Sequence, residues 1–387
     1  VTSKPSYGQG LLTYGISSYG EYLHPEFFLK DEFQVKGERD MTVKRILQAS
    51  IFFSVLLVLS VAISSDRDYW PTKNWKPSPP EKQGMEPEIL GQISSYVKET
   101  CPNPGSVLIV RHGYIVFEEY FSGGEDDLIQ LYCVAKSVTS ALIGIALKEG
   151  YLKNIDQKMI DFFPEFVSDD LNPQVNNITI RHLLTMSAGF GRSDMGIMTP
   201  DLIKDMLNHP LETEPGQEFS YNTTSSNILS MIITKATGMK ALDFGNKYLF
   251  KPLGISTIRW EDASGYTYGG LGIQLTPRDM AKIGYLYLNN GRWGKKQILR
   301  HEWVAESTRL QIDVPKSQKA ANADYACHWW VRSTGGYHSY FAWGAGGKFI
   351  YVIPDLDIVA VTTTYETVSD LKYLSIIDNY VVPSVLH

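Results

Sequence analysis

Hydrophobic and polar positions alternate in several different ways along this 387-residue chain, and each change of pattern marks an element. Residues 46–65 carry no charge, and their middle, Ile51-Phe52-Phe53-Ser54-Val55-Leu56-Leu57-Val58-Leu59, has no polar face. Lys44 and Arg45 precede this stretch, and Asp66-Arg67-Asp68 closes it. A basic start, an apolar middle and small residues (Ala62, Ser64) have the form of a secretory signal. At about 20 residues the stretch is also long enough to span a bilayer. The positive flank stays cytoplasmic in either case, which exports everything after Ser65. Met41 is expected as the true start, with 1–40 an upstream tail of doubtful status; the competing reading is a cytoplasmic tail on a single-span membrane anchor.

The remaining pattern predicts a folded enzyme-sized body. Residues 66–84 lie in a stretch with Pro71, Pro77, Pro79 and Pro80 and read as an extended linker. Helical spacing covers 85–100. Apolar runs at 106–110 and 114–120, broken at Arg111-His112-Gly113, predict a β-hairpin. Residues 133–149 form a nearly uninterrupted apolar helix stopped by Gly150. From 151 to 285 the pattern is mainly helices and loops, with helices opening at Thr179 and over 225–237, the latter ended by Gly238. Thr276-Pro277-Arg278-Asp279 combines a capping threonine, proline at the first position and an acid in the first turn, a strong helix start. Strands return at 327–332, 339–343, 348–353 and 358–364, and 371–382 closes the chain as a helix. Strands at both ends with helices between predict an α+β architecture. Its α/β part is 85–150 with 286–387, its helical part is 151–285, and an active site belongs in the cleft between them.

Composition changes this picture only by exclusion. A net charge of −6 and the absence of a basic run interleaved with aromatics give no case for nucleic acid. Cys101, Cys133 and Cys327 make an odd set, without a C-x-x-C or a Cys/His pair at zinc spacing, so no metal site is expected. A Cys101–Cys327 disulfide competes with two inert buried thiols.

Candidate chemistry centres on Cys133-Val134-Ala135-Lys136. Residues three apart on a helix share one face, so an amine at 136 can take a proton from a nucleophile at 133. At a helix N-terminus, backbone N–H groups and the dipole favour a developing anion. Lys136 is the one charge in the helix before Lys148. Tyr221 follows a Pro215-Gly216 turn and precedes a helix. A tyrosine serves as general base only beside a cation, which Lys136 supplies. Trp343-Gly344-Ala345-Gly346-Gly347-Lys348 is a glycine-rich strand edge where Ala345 or Gly346 can join the Cys133 N–H as oxyanion donors. It is not a phosphate loop, because G-x-x-x-x-G-K-[ST] is not met. Ser333-Thr334-Gly335 and Ala236-Thr237-Gly238 only mimic a K-T-G box. His112, His182, His328 and His338 show no ligand spacing and read as structural or exposed. Asn177-Ile178-Thr179 and Asn222-Thr223-Thr224 match the glycosylation pattern.

Taken in this order, the motifs resemble the penicillin-recognising serine hydrolases: class C β-lactamases, D-alanyl-D-alanine carboxypeptidases, family VIII esterases and 6-aminohexanoate-dimer hydrolases. The resemblance covers about residues 80–387 and is carried by residues 132–140, by Thr179-Ile180-Arg181-His182-Leu183-Leu184-Thr185-Met186-Ser187-Ala188-Gly189, and by Gly269-Gly270-Leu271-Gly272 with Thr276-Pro277-Arg278-Asp279-Met280. It implies a β-lactamase/transpeptidase-like fold, an antiparallel sheet flanked by helices with a mostly helical insertion. It also implies an acyl-enzyme mechanism without metal or organic cofactor, with Cys133, Lys136 and Tyr221 catalytic and with Trp343, Asn222, Ala345 and Gly346 binding substrate or oxyanion.

Three departures stand out. Cys133 replaces the family's serine, the Y-x-N box reads Tyr221-Asn222-Thr223, and Trp343-Gly344-Ala345 stands in place of K-T-G, removing a cation for a substrate carboxylate. The last two departures disfavour β-lactams and peptidoglycan stems. They leave a small-molecule ester, or an uncharged or amino-terminated amide, as substrate. A catalytically weakened relative that only binds is the alternative. The sequence carries no sign of oligomeric state.

Overall fold

The computed structural model describes residue 67 and residues 69–167, 172–192, 198–199, 201–208, 210–368 and 371–386. The expected tail and the signal or anchor over 41–65 lie outside the described residues. Among the described residues no helix is long and apolar enough to cross a membrane.

Eight strands form the main sheet: β1 Lys76–Pro77, β2 Pro104–Arg111, β3 Tyr114–Tyr120, β4 Asp324–Tyr325, β5 Trp330–Thr334, β6 Tyr337–Gly344, β7 Lys348–Ile353 and β8 Ile358–Thr364. Their order is β1-β3-β2-β8-β7-β6-β5-β4. All neighbours are antiparallel except β1 with β3, so the expected antiparallel sheet carries one parallel edge. The pairing of β8 with β2, with Val361 opposite Leu108, joins the two ends of the chain in mid-sheet.

Alternation along the strands gives two apolar faces. Leu108, Val110, Ile350, Val352, Val359 and Val361 face one core; Val107, Ile109, Phe349, Tyr351, Ile353, Ile358 and Ala360 face another. Helix α1 (Pro87–Thr100) buries Leu90, Ile93 and Val97 against the second face. The first face receives α2 (Val134–Lys148) and the late helix Pro277–Leu288. That same core takes in α3 (Ile180–Leu184) and α4 (Thr223–Thr237), so one continuous apolar interior runs through residues 85–150, 151–285 and 286–387. Tyr69–His387 clusters as one compact unit.

Three differences from the sequence reading have physical reasons. The supposed linker is extended but packed: Lys76 and Pro77 pair with Tyr114 and Ile115, the Trp75 indole donates to the Arg278 carbonyl at 3.1 Å, and Trp70 and Trp75 meet the Tyr285 ring edge-on. Proline suits an edge strand, where one side needs no donor. Arg259–Trp260 and Ile273–Leu275, inside the stretch read as helices and loops, form a small sheet with Ile129–Gln130, where no element was expected. Strands of two or three residues are too short to show a period of two. No disulfide is formed: Cys101 and Cys327 sit in the two separate cores. Burial pushes the Cys327 thiol up to about 12, which keeps it neutral and inert.

Candidate functional site

The nucleophile position is set by a sharp turn. Leu131 and Tyr132 lead from the Ile129–Gln130 strand into α2, and Tyr132 has φ 48°, a left-handed conformation costly for a bulky side chain. The turn leaves Cys133 at the N-cap of α2 with φ −68° and ψ −8°, its thiol making no capping bond. Cys133 is half-buried and lines a cavity of about 490 Å³.

Lys136 lies one turn further on and is only 2% exposed. Its ammonium donates to Thr223 Oγ1 at 3.1 Å and to the Gly270 carbonyl at 2.9 Å. The loop that supplies that carbonyl is clamped from both sides. Asn227 Oδ1 accepts from the N–H groups of Gly269 and Gly270, at 3.0 and 3.2 Å, and the Thr139 hydroxyl donates to the Gly269 carbonyl at 2.7 Å. A Cβ on Gly269 would collide with the Ser226 carbonyl, so only glycine lets this loop lie against α4.

Tyr221 enters from the segment before α4. Lys136 Nζ sits over its ring, 4.9 Å from the centroid. Two aromatic rings also pack on it: Trp330 stacks at 6.1 Å and 19°, and Tyr325 meets it edge-on at 6.4 Å. Tyr221 lines the same cavity as Cys133. Cys133 and Tyr221, far apart in sequence, therefore share one cavity, and the buried Lys136 ammonium lies against the Tyr221 ring beneath it.

The opposite wall is the end of β6. Gly344 has no room for a Cβ, which would strike the Leu131 carbonyl and crowd Val134, so β6 presses directly against the turn that carries Cys133. Trp343, Gly344 and Ala345 line the cavity. Among the described residues, neither the Cys133 N–H nor the Ala345 N–H meets a protein acceptor. Two such donors on facing walls suit a carbonyl oxygen that gains negative charge.

Beneath the site, His328 is buried between α2, α3 and α4. Its Nδ1 donates to the Leu184 carbonyl at 2.8 Å, which leaves Nε2 to accept from the Ser226 hydroxyl at 2.9 Å. Its own carbonyl accepts from Ser137 at 2.6 Å. Burial first, and the Lys136 charge second, push its pKa down to about 3. The imidazole is thus a neutral brace rather than an acid or a ligand. Between the unfolded value of 6.5 and the folded value of about 3, the unfolded chain binds the extra proton, so stability falls as pH drops through that window. At about pH 4.5 the expected loss is on the order of 2–3 kcal/mol. Denaturant midpoints at neutral pH and at about pH 4.5 measure it, and an equal drop in His328→Gln would refute the assignment to this ring.

Two expected site residues are placed elsewhere. Asn222 is 4% exposed and does not line the cavity: its Oδ1 accepts from Ser225 N–H at 2.9 Å as the cap of α4, and its Nδ2 donates to the Gly191 carbonyl at 2.6 Å. This corrects its assignment to substrate binding and also buries that glycosylation pattern. Gly346, with φ 85°, lies in the β6–β7 turn behind Ala345 and does not line the cavity.

The two K-T-G lookalikes stay away from the cavity, one in the β5–β6 turn and one at the end of α4. Residues the sequence reading missed complete the site. Phe219, Leu271, Trp330, Ala320 and Thr367 line the cavity, and Thr223 and Gly270 hold the amine. Of these only Gly270 and Leu271 carried a visible signal, the glycine-rich motif 269–272. Among the described residues no cluster of ligating side chains can hold a metal ion.

Residues 103–373 match the family described as Beta-lactamase. The 6-aminohexanoate-dimer hydrolase of Paenarthrobacter ureafaciens is 24% identical over 270 residues, covering 62% of this chain and 67% of that protein. Penicillin-binding protein 4* of Bacillus subtilis (strain 168) is 27% identical over 186 residues, covering 44% of this chain and 40% of that protein. Among solved structures, a family VIII carboxylesterase superposes with a TM-score of 0.64 at 16% identity, covering 79% of this chain and 98% of that one. That last likeness is one of fold.

Proposed function

This chain belongs to the beta-lactamase family, and from that premise we propose that it is an exported acyl hydrolase that opens ester or linear amide bonds through an acyl-enzyme on Cys133. The observation that carries this reading is the Lys136 ammonium 4.9 Å from the centre of the Tyr221 ring, at the cavity that also exposes Cys133. The sulfur attacks the substrate carbonyl, and its proton passes to the Lys136–Tyr221 pair. The oxyanion draws on the Cys133 and Ala345 N–H groups. The alcohol or amine then leaves with a proton returned by the same pair. Water attacks the thioester, releases the acid and restores the thiol.

The cavity wall is mostly aromatic, which supports an apolar acyl group, and Arg192 in the same lining offers a cation to a polar or anionic end of the substrate. Tyr132, Phe219, Tyr221, Trp330 and Trp343 surround the opening, and an indole occupies the strand edge where the family's lysine would hold a carboxylate. The names of the amide-hydrolysing and esterase relatives support both bond types. The uncharged stretch 46–65 supports export. A silent binding protein is the second reading, favoured by the sulfur at position 133.

One experiment separates them. Incubation with p-nitrophenyl butyrate is expected to release nitrophenol and to leave a butyryl group on Cys133, seen by intact mass and peptide mapping. Cys133→Ala loses both signals. Iodoacetamide is expected to label Cys133 well ahead of buried Cys101 and Cys327, and the substrate to protect it. Equal slow labelling of all three thiols, with no ester cleavage, would establish the silent reading. A panel of short-chain esters, nitrocefin, D-alanyl dipeptides and 6-aminohexanoate dimer then ranks the substrate classes.

A further inference from the structure

A second buried lysine lies behind the oxyanion wall, and the acid–base chemistry above makes no use of it. Lys348 opens β7 in the run Lys348–Ile353, every residue of which is buried, and is itself 2% exposed. Its ammonium donates to the Ala345 carbonyl at 2.9 Å and to the Glu366 carbonyl at 2.7 Å, and lies 5.0 Å from the centre of the Tyr132 ring. Each contact touches a segment of the cavity wall. Tyr132 precedes Cys133, Ala345 carries the second N–H, and Glu366 precedes Thr367.

Burying an ammonium against two neutral carbonyls and a ring face is an expensive way to secure a turn, because its desolvation is only partly offset. Its fixed positive charge holds converging backbone segments from one point with charge-assisted bonds. It also grips Ala345 from the side opposite Gly344, which is already wedged against the Leu131 carbonyl. The Ala345 N–H is thus fixed from both flanks.

We propose that Lys348 is a positioning residue of the reaction, its buried ammonium tying together the segments that carry Cys133, Ala345 and Thr367 so that the two oxyanion donors keep their spacing. This rests on the acyl-enzyme reading of Cys133. Burial holds the Lys348 pKa down to about 8 against the opposing pull of Glu366. The other titratable groups near it are Tyr132 with Cys133 beside it, Tyr365 across the small cavity that Lys348 also lines, with Asp127 beyond, and Tyr373 packed under Gly347. The two properties the charge affects then move in opposite directions. Between pH 8 and the ordinary 10.5 the folded chain has lost this proton and the unfolded chain has not, so folding gains stability as pH rises through that window. Catalysis loses its tether over the same window.

The test compares the full chain with Lys348→Arg and Lys348→Met, using p-nitrophenyl butyrate from about pH 6 to pH 10. The parent kcat is expected to fall as pH passes 8. Arginine keeps its charge, so Lys348→Arg shifts that fall to higher pH. Cys133, Lys136 and Tyr221 are common to both proteins, so the difference between profiles reports position 348. Lys348→Met is expected to lower kcat by about tenfold to hundredfold at neutral pH, with KM within about twofold. Should Lys348→Met fail to fold, the arginine profile alone decides. Superimposable profiles for parent and Lys348→Arg, or a methionine variant with the parent's kcat, overturn the proposal while leaving the acyl-enzyme intact. A parent chain that forms no Cys133 adduct fails the acyl-enzyme reading, and this inference falls with it.

Discussion

Replacing Lys136 with methionine is expected to slow acylation of Cys133 by about three orders of magnitude, the range for removing a general base. Methionine keeps the length and apolar body of the stem, which suits a helix buried along nearly its whole length. What it removes is the nitrogen that bridges Thr223 Oγ1, the Gly270 carbonyl and the face of Tyr221. The phenol that takes the thiol's proton then has no cation beside it to support that role. Stability also changes, because two buried acceptors lose a charged donor at a cost of about 1–3 kcal/mol. Single-turnover nitrophenol release, with a thermal melt of each protein, keeps the effects apart. A folded Lys136→Met that acylates within tenfold of the parent would remove the lysine from the mechanism.

Cys133→Ser is expected to act in the other direction, raising amide hydrolysis at least about tenfold while ester cleavage stays within about tenfold of the parent. The reason lies in how the tetrahedral adduct collapses. From an amide, the adduct can expel either the amine or the attacking atom. A thiolate leaves more readily than an unprotonated amine, so the sulfur adduct reverts. An alkoxide leaves less readily, so the oxygen adduct persists until the amine is protonated and departs. A p-nitrophenyl ester has a good leaving group either way and shows little preference. Steady-state rates on p-nitrophenyl butyrate and on a matched anilide check both halves. Loss of both activities in the serine variant would mean that the sulfur is required by the site rather than a handicap to it.

The fold was readable in the sequence where elements are long. Helix α2, the β2–β3 hairpin, the glycine stops after α2 and α4 and the threonine–proline start at residues 276–277 are local signals, and each lies within a few residues of its expected place. The pairing of β2 with β8 is not local: strands at both ends with helices between pointed to a shared sheet, but not to which strands are neighbours or in what register.

The site divides in the same way. Cys133 and Lys136 share a helix face, which spacing alone reveals. Tyr221 was one tyrosine among 23 until placed beside the other two motifs. Asn222 was misread because its neighbour drew attention to a substrate box, although Asn222-Thr223-Thr224-Ser225 also reads as a helix cap. Lys348 and Trp330 were invisible for another reason. One looks like a chance charge in an apolar strand, the other like a core aromatic, and only three-dimensional neighbours give either a role.

The meeting of β2 and β8 in mid-sheet bears on how this chain is made. Residues 104–120 leave the ribosome before their partner strand, which emerges some 240 residues later, as the numbering of β2 and β8 sets. Until then the hairpin presents an apolar edge with nothing to close it, the condition under which nascent chains associate wrongly. The wall bearing Ala345 likewise follows long after Cys133 and Lys136. A premature stop between residues 221 and 358 therefore yields a chain bearing sulfur, amine and phenol but lacking the strand that seals the centre of the sheet. Such a fragment is expected to be insoluble rather than weakly active.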